Sequence, residues 1–119
     1  MAKKAKLIRG KFYSIYTTGG SHPSLIFKIN RRKNKYIVVV FDSSEGRHRT
    51  KLIHPISDKV EMSFVQNRPL MTTKKDFGNH ELQGMSINKE DKPRIKIVKR
   101  RNPRISKKYR EYVERKRNK

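Results

Sequence analysis

Residues 36–41 read Tyr36-Ile37-Val38-Val39-Val40-Phe41. All six are apolar or aromatic, and four are β-branched, a composition that fits a strand better than a helix. A run this short with no alternation belongs to a strand covered on both faces. The fold is therefore expected to centre on this strand.

The flanks repeat the strand-and-turn pattern. Upstream, Arg31-Arg32-Lys33-Asn34-Lys35 is a charged turn. Before it, residues 24–29 place Leu25, Phe27 and Ile29 on one face at a period of two. Gly19-Gly20 and Pro23 mark a loop, and residues 9–17 are rich in aromatic and β-branched side chains. Downstream, Asp42-Ser43-Ser44-Glu45-Gly46 is a turn. Residues 50–56 read as a fourth strand, with Leu52 and His54 on one face and Lys51 and Ile53 on the other. Residues 60–65 fit a strand or a short helical turn. Residues 66–92 contain Pro69, Gly78 and Gly84 and read mostly as loop. Residues 94–99 alternate again and read as a last strand, basic on one face. Asn102-Pro103 then breaks the chain. Ser106 is placed to cap a helix carrying Tyr109, Tyr112, Val113 and Lys116 at helical spacing, with Glu111 and Arg115 as an i,i+4 pair.

The expectation is a mainly β fold, a small antiparallel barrel with a C-terminal helix. Residues 1–8 are read as a flexible basic arm. Residues 9–99 form the barrel, with a loop-rich insertion at 66–92. Residues 100–119 form a basic helical tail.

Composition narrows the function. The 119 residues carry 32 Lys and Arg against 10 Asp and Glu, a formal net charge of +22. The excess is uneven. Residues 1–11 carry +5 and residues 91–119 carry +11, leaving +6 for residues 12–90. Four of those six lie in the run 31–35. A small body with basic extensions seeks a polyanion. Nucleic acid is the expected partner, with an anionic membrane surface second. No apolar run approaches the roughly 20 residues of a membrane span, and Leu7-Ile8 makes no signal-peptide core. The chain has no cysteine, which excludes disulfide scaffolds and thiolate zinc sites. A cytoplasmic location is expected, or a nucleoid or nuclear one.

Catalytic patterns are sparse. His22, His48, His54 and His80 lack metal-ligand spacing. Asp42 and Glu45 read as turn chemistry more readily than as a Mg²⁺ pair. Asp76-Phe77-Gly78 spells a kinase triplet without any companion motif. No cofactor and no metal are expected. The candidate nucleic-acid contacts are Arg31, Arg32 and Lys33 on the turn, and Arg47, Arg49 and Lys51 at i,i+2 spacing. Arg94, Lys96, Lys99, Arg100, Arg101, Arg104, Lys107 and Lys108 complete the set. Backbone phosphates accept many arrangements of such side chains. Phe12, Tyr13, Tyr16, Tyr36 and Phe41 are expected in the core, with base stacking open to any that face outward.

One resemblance adds to this reading. Arg9-Gly10-Lys11-Phe12-Tyr13, the Gly-rich loop, His22-Pro23-Ser24-Leu25-Ile26, residues 36–41 and Leu52-Ile53-His54-Pro55-Ile56-Ser57 together resemble the MazF/PemK-like toxin family. The likeness spans residues 9–57. It implies an SH3-like barrel and, in the active members, metal-independent cleavage of single-stranded RNA. It places Ser57 at the family's Thr/Ser position and His22 where the family carries its catalytic Arg. A neutral imidazole can move protons, but it holds no fixed positive charge. The long basic C-terminal segment also departs from that family.

The leading expectation is a non-enzymatic nucleic-acid binder that favours RNA over DNA. The alternatives are a metal-independent endoribonuclease using His22 and Ser57, and a structural component of a ribonucleoprotein or phage nucleoprotein assembly. Exposed strand edges are compatible with a homodimer. Removing the chain from about residue 93 onward is expected to abolish most of the affinity.

Overall fold

Tyr36, Val38 and Val40 face one hydrophobic cluster while Val39 and Phe41 face another. The strand that carries them, β3 (Lys35–Asp42), is buried along nearly its whole length. The two-sided burial expected from residues 36–41 is thus the organising fact of the fold. A computed structural model describes residues 6–17 and 19–118.

β1 (Phe12–Thr17), β2 (Gly20–Asn30) and β3 form an antiparallel meander. On the far edge of β3 sit β6 (Leu70–Thr72) and, further along, β5 (Phe64–Gln66), which also pairs β4 (Arg49–Lys51). β7 (Phe77–Glu81) pairs the free edge of β1. The path β7-β1-β2-β3-β6 curls on itself, because a single 3₁₀ turn, Lys74–Asp76, joins the end of β6 to the start of β7. Phe77 and Leu70, from the two ends of that path, meet in the first cluster with Tyr13, Ile15, Ile26, Tyr36, Val38 and Val40. This is the small antiparallel barrel expected from the sequence.

The second cluster lies on the outer face of β1, β2 and β3. Phe12, Leu25, Val39 and Phe41 are covered there by Leu52, Ile56, Val65, Ile95 and Val98.

The details depart from the sequence reading in five places. First, Leu25, Phe27 and Ile29 do not share a face. Ile26 pairs Val38 and Lys28 pairs Ile37, so Phe27 is an extra residue in a β-bulge. The bulge shifts the parity, and Ile29 packs on the first cluster while Leu25 and Phe27 belong to the second. Second, the strand at 50–56 ends at Lys51. The Asp91 carboxylate accepts the backbone N–H of Ile53 at 2.7 Å and of His54 at 2.9 Å. Those amides leave the ladder, and Ile53 turns outward, 67% exposed. Third, the insertion at 66–92 contains β6 and β7.

Fourth, residues 94–99 are not a strand. They lie in α1 (Lys92–Arg100), with Pro93 in its first turn. The segment Arg94-Ile95-Lys96-Ile97-Val98-Lys99 satisfies two periods at once. Ile95 and Ile97 fit alternation, while Ile95 and Val98 fit a helix. Pro93, pre-shaped for a helix start, favours the second. Ile95 and Val98 are buried and Ile97 is 43% exposed.

Fifth, the two extensions are tied to the body. Residues 1–5 of the arm expected at 1–8 lie outside the described residues, but Leu7 sits in the first cluster. Its carbonyl accepts Arg31 Nη2 at 2.6 Å, and the Ile8 N–H donates to the Tyr13 hydroxyl oxygen at 3.0 Å. A turn at 8–11 follows, with Gly10 at φ +87. At the other end β8 (Arg104–Ile105) pairs β6 in parallel. The N–H of Arg104 donates to the Pro69 carbonyl at 2.8 Å and that of Ser106 to Met71 at 2.9 Å.

α2 (Lys107–Arg117) begins at Ser106, as expected, with the Ser106 hydroxyl accepting the Tyr109 N–H at 3.1 Å. That hydroxyl donates to Thr72 Oγ1 at 2.9 Å, and Thr72 donates to the buried Asp76 carboxylate. Glu111 faces Lys107 at 4.0 Å rather than Arg115.

Candidate nucleic-acid interface

At the Asp42 end of β3 three side chains converge on one buried carboxylate. His22 Nδ1 lies 2.9 Å from Asp42 Oδ1, and Arg49 Nε lies 3.2 Å from Asp42 Oδ2. Gln66 Nε2 donates to the same Oδ2 at 3.1 Å. The sheet register explains the meeting. Ser24 pairs Val40, so His22 and Asp42 are the next same-face positions beyond that pair. β4 and β5 bring Arg49 opposite Gln66. A buried carboxylate requires such partners. Asp42 is therefore more than a turn residue: it positions a histidine and an arginine.

The network continues outward. Gln66 Oε1 accepts Arg104 Nη2 at 2.5 Å. Arg49 Nη1 also donates to the Ser44 carbonyl at 2.9 Å, and Arg68 Nε donates to the Asn102 carbonyl at 3.0 Å. Around these groups lies a groove of about 400 Å³, lined by Arg47, His48, Arg49, Gln66, Asn67, Arg68, Arg101 and Arg104. Five guanidinium groups line it and no carboxylate does. Three of the five are braced by protein acceptors: Arg49 at both Nε and Nη1, Arg68 at Nε and Arg104 at Nη2. Their remaining N–H donors are free to fork onto an anion.

His48 adopts φ +62, an unusual conformation for a residue with a side chain. Its carbonyl is held by the Asn67 N–H at 2.8 Å. Gly46 clears space for Arg49. A Cβ at Gly46 would stand 2.8 Å from the Arg49 guanidinium carbon.

The groove joins four of the residues singled out in the sequence: Arg47, Arg49, Arg101 and Arg104. Sequence reading missed Arg68, because it stands alone between polar residues and Pro69. It also missed Gln66 and Asn67. Nothing local marks them, since their roles come from strand pairing across the sheet.

The remaining candidates lie elsewhere. Arg32 and Lys33 are exposed on the β2–β3 turn, about 23 Å away along β3 at roughly 3.3 Å per residue. Arg31, on the same turn, anchors Leu7. Lys51 is exposed at the end of β4. Arg94, Lys96, Lys99 and Arg100 stand on the outer side of α1, with Lys99 Nζ 5.7 Å from the centre of the Phe27 ring. Lys107 and Lys108 begin α2.

A larger hollow of about 710 Å³ lies beside α2 and mixes signs. Lys75, Lys108, Arg115 and Lys116 line it together with Glu111 and Glu114. Its field is partly cancelled, unlike that of the arginine groove.

Ser57 and His22 share no hydrogen bond. The Ser57 hydroxyl accepts the Lys59 N–H at 3.2 Å, and its backbone bridges to Met85. That is the behaviour of a turn-forming serine. Of the five aromatics considered for stacking, Phe12, Tyr13, Tyr36 and Phe41 are buried and Tyr16 is 57% exposed. Among the described residues no group of three or more His, Asp or Glu side chains converges as a metal site. No helix among them is long and apolar enough to cross a membrane.

No family model, no curated protein and no solved structure matches the chain.

Proposed function

We propose that this protein binds nucleic acid without transforming it, favours RNA over DNA, and does so chiefly through phosphate contacts. The observation that carries this reading is the carboxylate-free groove of five arginines, three of them braced by the protein. Preorganised guanidinium forks match phosphate oxygens in pairs. Exposed cations on α1, β8 and α2 add to the positive charge the molecule offers a polyanion. Tyr16 is the outward aromatic available for a base. Contacts of this kind fix a polymer in place and carry little sequence information.

The test is binding of one labelled single-stranded RNA and one duplex DNA across a salt series, with the RNA afterwards run on a denaturing gel. Intact RNA, a steep loss of affinity with salt and tighter binding of RNA than of DNA are expected. Gly46→Ala gives a clean check of the groove. Its added methyl pushes the Arg49 guanidinium aside, so affinity should fall severalfold while thermal stability changes little. Unchanged affinity in that variant would remove Arg49 from the interface.

A second reading draws on the His22–Asp42 pair. A histidine held through Nδ1 by a buried carboxylate, with Arg49 on the same carboxylate, is the arrangement of an oriented proton-transfer group beside a fixed charge. Metal-independent RNA cleavage would use it. Discrete products on the gel that vanish in His22→Ala would favour that reading over simple binding.

A further inference from the structure

α1 carries five cations in nine residues and no carboxylate: Lys92, Arg94, Lys96, Lys99 and Arg100, all of them exposed. Its first turn holds Lys92 and Arg94, where the helix dipole disfavours positive charge, and no acidic residue there offsets them. The acids just before it are engaged elsewhere. Asp91 holds the Ile53 and His54 amides, and Glu90 lies 3.2 Å from His54 Nε2. The side chains of Arg94, Lys96, Arg100 and Arg101 make no hydrogen bond or ion pair among the described residues. α2, by contrast, interleaves its cations with Glu111 and Glu114.

Ile97 stands in the middle of this charge, 43% exposed. Its neighbours on the helix surface, three and four residues away, are Pro93, Arg94, Arg100 and Arg101. Arg101 ends α1 and also lines the arginine groove. The patch around Ile97 and the groove therefore meet at one residue.

An apolar centre rimmed by unpaired guanidinium groups fits a ligand that alternates negative charge with flat apolar surface. A single strand of nucleic acid does so: phosphates recur along it, and its unpaired bases offer their faces. In a duplex those faces are stacked away. The groove of about 400 Å³ has the size of a small-ligand pocket, so it admits one backbone and not a double helix.

We propose that the outer face of α1 is a second subsite, in which a base lies on Ile97 and Pro93, its neighbouring phosphates engage Arg94 and Arg100, and the same strand continues past Arg101 into the groove. The substrate class is thus single-stranded RNA held by consecutive internal phosphates. This rests on the nucleic-acid reading above and adds to it the strandedness of the ligand and its path.

The test uses the full chain with one unstructured single-stranded RNA and with the same RNA paired to its complement. The single strand is expected to bind about tenfold more tightly than the duplex. Ile97→Ser should weaken single-strand binding about fivefold and leave duplex binding unchanged. Ile97→Phe, which offers a base an aromatic platform, should strengthen single-strand binding and again leave the duplex unchanged. Circular dichroism checks the fold of both. Arg94→Gln with Arg100→Gln should make the single-strand salt slope shallower by about 1.4, at roughly 0.7 per lost contact.

Single-strand affinity that is unchanged in both Ile97 variants overturns the subsite and leaves general nucleic-acid binding standing. Equal or tighter binding of the duplex overturns it in the same way. Binding of neither RNA overturns both readings, and capture of the protein by phosphatidylserine vesicles in that case assigns the face of α1 to an anionic membrane surface.

Discussion

Asp42 shows how a single buried carboxylate can organise a surface. It lies at the end of β3, nearly out of solvent, and three partners reach it from three strands. Asp42→Asn keeps the shape and removes the charge. His22 and Arg49 then lose their shared counter-ion, and one amide hydrogen opposes a donor. The expected loss is about 1–3 kcal/mol, since both partners keep some contact with water. Urea unfolding would measure it, and RNA affinity should drop in the folded variant as Arg49 loses its brace. Tyr36 supplies a pH signature. Burial raises its phenol above the ordinary value of 10, and the Arg31 charge opposes part of that rise. The folded state thus holds the proton more tightly than the unfolded chain does. This contribution to stability is complete below pH 10 and is lost as pH climbs through the folded value. Above pH 10 the wild type should lose stability that Tyr36→Phe retains. The phenol titration of the wild type minus that of the variant should centre above pH 10. Little of this was legible in the sequence. The cations were visible one by one, but the partner of His22 stands twenty residues away, and only strand pairing brings the two together.

Secondary-structure elements were legible in proportion to their length and period. β3 could be read because four of its six apolar residues are β-branched and turn residues bound the run on both sides. The α2 cap could be read because Ser106 follows Pro103 and precedes helical spacing. Residues 94–99 were misread because their pattern serves two periods and Pro93 decides between them. β6 and β7 were missed because a strand of three residues has no period to detect, and β7 shows Asn79 and His80 to solvent. Two substitutions test these elements. Ile95→Ala removes the main anchor of α1 from the second cluster and should cost about 2–4 kcal/mol in denaturant unfolding. Ser106→Ala deletes both the cap of α2 and the link to Thr72. It should cost about 1 kcal/mol and lower helical circular dichroism, because α2 has no fully buried side chain to hold it otherwise.

For the molecule as a whole the governing quantity is the net charge of +22. Its distribution was visible in the sequence: two basic extensions and a basic turn. What could not be read was how firmly the extensions are joined to the body. Removing the chain from about residue 93 onward, which the sequence expects to abolish most of the affinity, does not test the tail alone. It would instead strip Ile95 and Val98 from the core and test folding. The informative variant replaces Lys107, Lys108 and Arg110 with Gln and keeps every core residue. If these side chains touch phosphates, the slope of log affinity against log salt for single-stranded RNA should become shallower by about two, at roughly 0.7 per lost contact. An unchanged slope would place α2 outside the interface.

The parallel pairing of β8 with β6 has a bearing on biosynthesis. Arg104 reaches Gln66 across 38 residues of chain, and Arg68 reaches Asn102 across 34. A polypeptide emerging from the ribosome would form β1, β2 and β3 well before it possessed the second wall of the groove. During that interval the growing chain is basic but its arginine groove is not yet assembled. Only after β7 has paired with β1 does the chain supply the residues that complete it.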